Sequence, residues 1–319
     1  MNIQVTSVSK TEETLSRTAS AIFVISPEDI RHSGATNIPD LLRMVPGMEV
    51  SHISGNTWAI GVRGFNARFS NDLLVLVDGR PAYTDTFGGV YWDTLDLPLE
   101  DIERIELIRG PGGSVWGADA VNGVMNIITK KASDTQGGLV VMGGGNIDQG
   151  FGTIQYGGKA GQTTDYRVYT KCLDQDHLPD CGGHDGGDGW HMLRGGFRTD
   201  SIVSAKDTLM FQGDIYSARE GIPTIEFPSV TAVALQNVEQ LGNLSGGFIQ
   251  GVWNHISSLR SDTTLQVSYE RYERDDILRE GRGTLDLDFQ HHFIGWARQN
   301  IVWGLTYRYS MSTSNGNLT

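Results

Sequence analysis

No apolar run in the 319-residue sequence approaches the roughly 20 residues that a membrane-spanning helix needs. The longest clean one, LLVLV at 73–77, is strand-sized. MNIQVTSVSK lacks both the basic start and the apolar stretch of a secretory leader. Positive charge is short as well: 25 Lys and Arg face 38 Asp and Glu, and the net charge of −13 works against a nucleic-acid partner. Proline numbers 9 and cysteine 2. There is no Ser–His–Asp signature, Cys-x-x-Cys pair or His-Glu-x-x-His helix, so nothing argues for catalysis or for a cofactor.

Glycine, in contrast, is plentiful at 41 residues, about twice its usual share. With so little proline, that suits tight turns and closely packed strands rather than a disordered linker. Residues 108–130, IRGPGGSVWGADAVNGVMNIITK, concentrate it. Gly112 and Gly117 have the spacing of a phosphate-binding loop, but Ala118 and Asp119 stand where Lys and Ser/Thr belong. A carboxylate there repels phosphate, so the nucleotide reading is weak.

Two halves follow different patterns. Up to about residue 132 the signals are mixed. ASAIFVI (19–25) reads as a strand and SPEDIRHSG (26–34) as a short helix, with Ser26 as N-cap, Pro27 first and Gly34 as stop. NIPDLLRMVPG (37–47) reads as a second helix closed by Pro46-Gly47. WAIGVRGF, LLVLVDGRP and DIERIELIRG read as strands ended by glycine-bearing turns, which makes a small α+β domain. After 130–138 helix signals almost vanish. In NIVWGLTYRY (300–309), Ile301, Trp303, Leu305, Tyr307 and Tyr309 oppose Val302, Gly304, Thr306 and Arg308. TLQVSYER (264–271) and TLDLDFQ (284–290) alternate in the same way.

Period two with aromatics near strand ends fits a transmembrane β-barrel. A soluble antiparallel sheet with one wet face shares the alternation. Connection lengths separate the two. Nine strands are expected, near 137–144, 149–158, 164–173, 190–199, 207–218, 243–255, 262–274, 283–291 and 298–311. The connections 159–163, 200–206, 256–261 and 292–297 are short, while 174–189 and 219–242 are long and fall on one side. That asymmetry belongs to outer-membrane barrels, although 145–148 is short on the long side.

The first domain resembles the plug of TonB-dependent outer-membrane receptors. The resemblance rests on TASAIFVISPEDIRHSGATNIPDLLRMVPGMEV (18–50), IGVRGF (60–65), LLVLVDGRPAY (73–83) and IERIELIRGPGGSVWGADAVNGVMNIITK (102–130), in that order. The remainder resembles the start of the family's barrel by pattern more than by motif. The resemblance implies an α+β plug domain followed by an antiparallel transmembrane β-barrel, with a TonB-box segment at 1–10, the plug at 11–132 and barrel at 133–319. Family barrels have about 22 strands, so nine make an incomplete, unclosed barrel. At close to 20 residues per strand, a full barrel needs roughly 440 residues and the chain is expected to lack about 260. A receptor of this class also needs a signal sequence ahead of its box, so Met1 is not expected to be the native start.

Further implications attach to particular residues. Ile3, Gln4, Val5, Thr6, Ser7 and Val8 resemble the TonB box, whose extended backbone pairs with a strand of TonB; the alternative is an ordinary first strand. Arg63 and Arg109 match plug arginines that in the family pair with barrel glutamates, the alternative being a surface ion pair. The plug loops at 51–58 and 82–94 match the substrate-contacting ones. There His52, Asn56, Trp58, Tyr83, Phe87, Tyr91 and Trp92 offer aromatic faces and hydrogen bonds to a bulky chelate, or else serve packing. Cys172 and Cys181 flank CLDQDHLPDC and suit a disulfide; a mixed site with nearby His177, His184, His191, Asp185 and Asp188, or two free thiols, are the other readings. The implied function is energised uptake of a scarce bulky nutrient, a ferric siderophore or cobalamin, by an outer-membrane monomer embedded in lipid. A truncated receptor fragment, acting at most in binding or adhesion, is the alternative.

Overall fold

The computed structural model describes residues 4–5, 13–14, 21–110, 112–117, 120–179, 183–226, 236–276, 279–295 and 299–314. The chain divides into two compact units, Met1–Lys130 and Lys131–Thr319.

In the first unit, β1 (Gln4–Val5) pairs antiparallel with β2 (Glu13–Thr14). β3 (Ile22–Ile25) leads into α1 (Pro27–Ser33), whose ends are chemically defined. The Asp29 N–H donates to Ser26 Oγ at 3.2 Å and the Ser26 N–H to the Asp29 carboxylate at 2.9 Å, a reciprocal capping box. Gly34 ends the helix at φ +70°, where a side chain would be strained. α2 (Ile38–Leu42) is shorter than the sequence suggests. Its last turn tightens into i→i+3 bonds, Arg43 N–H to Asp40 O and Val45 N–H to Leu42 O, because Pro46 disfavours helical geometry at the residue before it.

The strands that follow are β4 (Met48–Ser54), β5 (Thr57–Val62), β6 (Leu73–Val77), β7 (Arg80–Pro81), β8 (Ile102–Arg109) and β9 (Gly123–Thr129), with a one-turn α3 (Gly113–Trp116) before β9. β4 and β5 form a hairpin, and the main sheet runs β3-β8-β9-β6-β7 with β6 and β9 parallel. Asp78 and Gly79, at φ +48° and +78°, make the two-residue turn that joins β6 to β7. Leu76, Ile105, Val124, Met125 and Ile127 fill the centre, with Ile38, Leu41 and Leu42 of α2 also fully buried. The 108–130 stretch is therefore strand, turn, one helical turn and strand. Most of its glycines answer to crowding or geometry. A Cβ at Gly112 would meet Val124 at 2.7 Å and one at Gly123 the Ile108 carbonyl at 2.7 Å, whereas Gly110 and Gly117 adopt φ +139° and +90°.

The second unit is one antiparallel meander: β10 (Gly137–Gly143), β11 (Asp148–Ala160), β12 (Thr164–Gln175), β13 (Trp190–Ile202), β14 (Asp207–Glu226), β15 (Gln236–Ser258), β16 (Ser261–Asp275), β17 (Glu280–Ile294) and β18 (Asn300–Ser314). Each strand pairs with its chain neighbour, β10 and β18 do not pair with each other, and the sheet is open. The 219–242 loop expected from sequence is instead largely a two-stranded ribbon, with pairing from Glu220↔Gly242 out to Glu226↔Gln236. β13 stops matching β14 at Glu220, so beyond it β14 has β15 alone as partner, and an edge strand can accommodate Pro223.

Glycines in this sheet sit directly opposite aromatics. Phe151 faces Gly143, Tyr166 faces Gly158, Tyr169 faces Gly196 and Tyr216 faces Gly246. The Tyr169 ring comes within 2.6 Å of where a Gly196 Cβ would be, and the Tyr216 hydroxyl within 2.7 Å of one at Gly246. The rings lie down across the strands and cover bare backbone.

The capping box gives a stability prediction. The Ser26 backbone N–H, and then its hydroxyl, hold the Asp29 carboxyl below its ordinary value of 3.8. Its folded pKa lies below the unfolded one, so the stabilisation is complete above the unfolded value and is lost as pH falls through the folded value. Ser26→Ala should cost about 1 kcal/mol at neutral pH. Urea denaturation at pH 7 and again near pH 3 should show that cost shrinking in acid; an equal cost at both would exclude the carboxylate.

Candidate functional site

Cross-strand register lays side chains out in rows, and two adjacent rows define the character of the sheet. Val168, Phe197, Ile249, Tyr269, Leu285 and Tyr309 fall on one row across β12 to β18, all exposed or half-buried. One residue along, Arg167, Arg198, Gln212, Gln250, Ser268 and Asp286 form the next row on the opposite face, and all six are buried. A water-soluble sheet hides its apolar face; this one presents it. Such inversion is stable only where the outer solvent is hydrocarbon.

The buried face is held by ion pairs. Arg194 donates to Asp214 at 2.6 Å, with its guanidinium 4.7 Å from the centre of the Tyr216 ring. Arg198 engages Asp200 at 2.9 Å, and Arg308 engages Asp286 at 2.8 Å. Arg274 bridges Asp276 at 2.7 Å and Glu220 at 3.4 Å. At the short-turn end, indoles are tied to polar rim groups. Trp253 Nε1 donates to Asp207 at 3.1 Å and Trp303 Nε1 to His291 at 3.0 Å. An apolar ring with a wet edge is the chemistry of a membrane–water boundary.

In the first unit, the substrate-loop candidates fall into two groups. His52 and Trp58 stack across the β4–β5 hairpin with ring centres 4.9 Å apart and planes 13° apart. Asn56 is buried, and its carbonyl accepts from Ser54 Oγ at 3.1 Å and Thr57 Oγ1 at 2.9 Å, supporting the hairpin turn. The second group centres on the turn bridged by Thr84 and Gly89. This turn lies hard against residues 70–71. A Cβ at Gly89 would come 2.2 Å from the Ser70 carbonyl, and one at Gly88 would come 3.2 Å from Asn71 and 3.3 Å from the Tyr83 hydroxyl.

That close approach assembles an aromatic chain. Phe69 contacts Phe87 at 4.9 Å between centres, and Phe87 meets Tyr91 edge-on at 5.1 Å. Arg68 caps the chain, its guanidinium 5.2 Å from the centre of the Phe69 ring. Arg68 and Phe69 did not stand out in the sequence; the adjacency of a cation and an exposed ring in NARFSN was the available signal. Trp92 is buried and offers no open face to a ligand.

The Arg63 side chain reaches the backbone that follows Arg109. Arg109 donates to the Pro46 carbonyl at 2.8 Å, while Arg63 Nη2 lies 3.9 Å from where a Gly110 Cβ would sit. Arg63 itself has φ +62°, a strained value for a residue with a side chain. Among the described residues neither has a carboxylate partner. Of the TonB-box residues, Gln4 and Val5 form β1, while Ile3, Thr6, Ser7 and Val8 lie outside the described residues.

The disulfide expectation concerns a pair of which Cys172 alone falls among the described residues. Cys172 is a free, exposed thiol inside β12, opposite Gly152 and Leu193, on the same face as the apolar rows; Cys181 lies outside the described residues. Nearby, His177 accepts from the Gly189 N–H at 2.9 Å, His191 pairs with Asp174 at 2.7 Å and Asp188 accepts from the Leu178 N–H at 2.7 Å. Each group is thus engaged locally. No three metal-ligating groups converge among the described residues.

An α/β plug-like unit followed by an unclosed, inside-out antiparallel sheet has the architecture of a plugged β-barrel cut short. Comparison with known proteins makes this specific. Residues 14–124 match the family model of the TonB-dependent Receptor Plug Domain. The chain is 36% identical over 147 residues to the Vitamin B12 transporter BtuB of Vibrio vulnificus, an alignment spanning 46% of this chain and 23% of that protein. It is 38% identical over 148 residues to the Iron-regulated outer membrane virulence protein of Vibrio cholerae, spanning 41% and 22%. The ferric yersiniabactin uptake receptor FyuA from Yersinia pestis shares the fold with a TM-score of 0.70 at 18% identity, covering 93% of this chain and 50% of that one. The ferripyoverdine receptor of Pseudomonas aeruginosa does so with a TM-score of 0.76 at 16% identity, covering 99% and 46%. Residues 14–124 thus carry a plug domain of the TonB-dependent receptor type, and the second unit has the fold of part of the barrel of these solved receptors. The chain spans about half the length of these solved receptors, and its matches cover about a quarter of the curated relatives.

The seating of the 84–89 turn can be tested with two glycines. Gly89→Ala should destabilise by about 1–3 kcal/mol, because a methyl group there overlaps a backbone carbonyl and the Phe87 ring. Gly113→Ala, with nothing within 4 Å, should stay within about 0.5 kcal/mol of the parent. Denaturation midpoints compare them; equal midpoints would mean the turn is not seated on residues 70–71.

Proposed function

We propose that this chain serves energised uptake of a bulky, scarce nutrient, a ferric siderophore or cobalamin, across the outer membrane of a Gram-negative bacterium. The observation that carries the reading is the pairing of a plug-type unit, bearing partly exposed rings on its 69–91 surface, with a sheet that presents apolar residues outward. No bond is made or broken in such a process; binding and mechanical release do the work. The receptor acts as a monomer in outer-membrane lipid.

TonB is the proposed partner. Val5 and Gln4 already adopt strand geometry and pair with Glu13 and Thr14. A strand of TonB could take the place of that short partner, since two residue pairs are easily exchanged for a longer ladder. Thr6, Ser7, Val8 and Ile3 would extend the pairing. Arg63, which is exposed, and Arg109, which is half-buried, have no carboxylate partner among the described residues and suit acidic groups from further strands of the receptor, since a guanidinium that becomes enclosed needs a counter-charge.

The test is mechanical. In a full-length receptor, Val5→Pro removes a donor N–H and restricts the backbone, so energised uptake should fall by about tenfold or more while equilibrium binding stays unchanged. Wild-type uptake of labelled substrate by that variant would remove the TonB-box assignment.

A further inference from the structure

Two partners converge on one ring nitrogen in the segment that joins β12 to β13. His177 Nδ1 accepts from the Gly189 N–H at 2.9 Å, and the Asp185 carboxylate lies 3.1 Å from the same atom. One nitrogen cannot serve both. Without a proton it accepts from Gly189; with one it donates to Asp185 and has no lone pair for an N–H. The Asp185 oxygen already accepts from the Gly187 N–H at 2.8 Å and, as part of a carboxylate, can accept again.

The bond to Gly189 secures a short buried run. Gly187, Asp188, Gly189 and Trp190 are buried, whereas Asp185 is exposed and His177 half-buried. The run is seated on β14: the Gly189 carbonyl accepts from the Gly221 N–H at 2.8 Å, and a Cβ on Gly221 would come 2.2 Å from the Gly187 carbonyl. The His177 ring packs on it too, since a Cβ on Gly189 would meet the ring Cε1 at 3.1 Å. Residues 187–189 therefore touch a strand and a titratable ring at once.

The surroundings of the ring are rich in acids. Asp176 accepts from the His177 N–H at 2.9 Å and from Gln149 at 2.7 Å, and Asp188 accepts from the Leu178 N–H at 2.7 Å. β11 contributes Asp148, whose register partner is Gln175. On β13, His191 is paired with Asp174 at 2.7 Å. On β14, Arg219 stands opposite His191, and Glu220 pairs with Arg274 at 3.4 Å. His184 has a contact of its own. Histidine is the side chain that changes charge between about pH 5 and 8.

We infer that His177 is a pH-operated latch on the 183–189 segment. The neutral ring holds Gly189 in its seat on β14; the protonated ring turns to Asp185 and releases it. The latched form carries no proton on Nδ1 and the released form carries one, so acid favours release. The 187–190 run is covered at neutral pH and uncovered in acid, whatever the receptor transports.

Hydrogen exchange of the full-length receptor in detergent micelles, read by mass spectrometry at about pH 8 and about pH 5.5, tests the latch. Rates are first corrected for the chemical pH dependence of exchange. Peptides covering 183–191 should exchange about fivefold faster in acid, the effect of losing one hydrogen bond. Peptides from β13 at 193–201 should not change. His177→Asn puts a carbonyl oxygen where Nδ1 stood, an acceptor that does not titrate, and should exchange slowly at both pH values. His177→Phe has no acceptor and should exchange fast at both. Asp185→Asn should shrink the acid effect, because the protonated ring loses its anion. Heat-modifiable migration on gels checks that each variant is folded. Equal exchange of 183–191 at the two pH values in the parent overturns the inference. So does an acid effect that survives in His177→Asn, which would assign it to another group, or a rise shared by β13, which would mean general loosening.

Discussion

Hydrocarbon offers no hydrogen bonds, so every amide of a strand that crosses it must find its partner within the protein. From β11 to β17 each strand meets that demand with a neighbour on both sides, in a ladder interrupted by few bulges. The same ladder fixes which side chains look outward. Because the period is two, one register decides that Val168, Ile249, Tyr269 and Tyr309 face the apolar phase while Arg167, Arg198 and Gln250 turn away from it. A slip of one residue would put guanidinium groups into lipid, at several kcal/mol each near the midplane.

The polar face has its own difficulty. Register sets Arg167 opposite Arg198 and Lys171 opposite Arg194, like charges in direct apposition. Such pairs repel. Here Asp200 and Asp214 draw Arg198 and Arg194 aside, and Tyr216 stacks beneath Arg194. A buried pair of this kind adds little net stability, but removing either partner strands a charge. The wall is therefore intolerant of single changes even where it is not strongly stabilised.

Much of this was legible in the residues themselves. All nine strands of the second unit are visible as alternation, because side chains on the two faces meet opposite environments and the contrast is written every second residue. α1 is equally plain, since Ser26, Pro27 and Gly34 define its ends by local chemistry. What escaped depends on partners distant in the chain. The β14–β15 ribbon, with Pro223 and Gly221 inside it, looks like a loop until β15 is seen beside it. Strand β4 has exposed polar residues on both faces, Glu49 and Ser51 on one and His52 on the other, and lacks a clear apolar face. Phe69 and Arg68 matter because Gly88 and Gly89 let a turn 15 to 20 residues further on settle against residues 70–71, which no local pattern announces.

The aromatics laid across glycines have a consequence for descent. Each couple, Tyr169 with Gly196 or Tyr216 with Gly246, occupies a fixed volume shared between two strands. Enlarging the glycine alone produces a collision, and shrinking the aromatic alone leaves bare backbone facing its surroundings. Either intermediate is less fit than its starting point, so the two codons are expected to drift as a unit. Among distant relatives the couple should persist intact, invert with the large and small members exchanged, or vanish in one step from both strands.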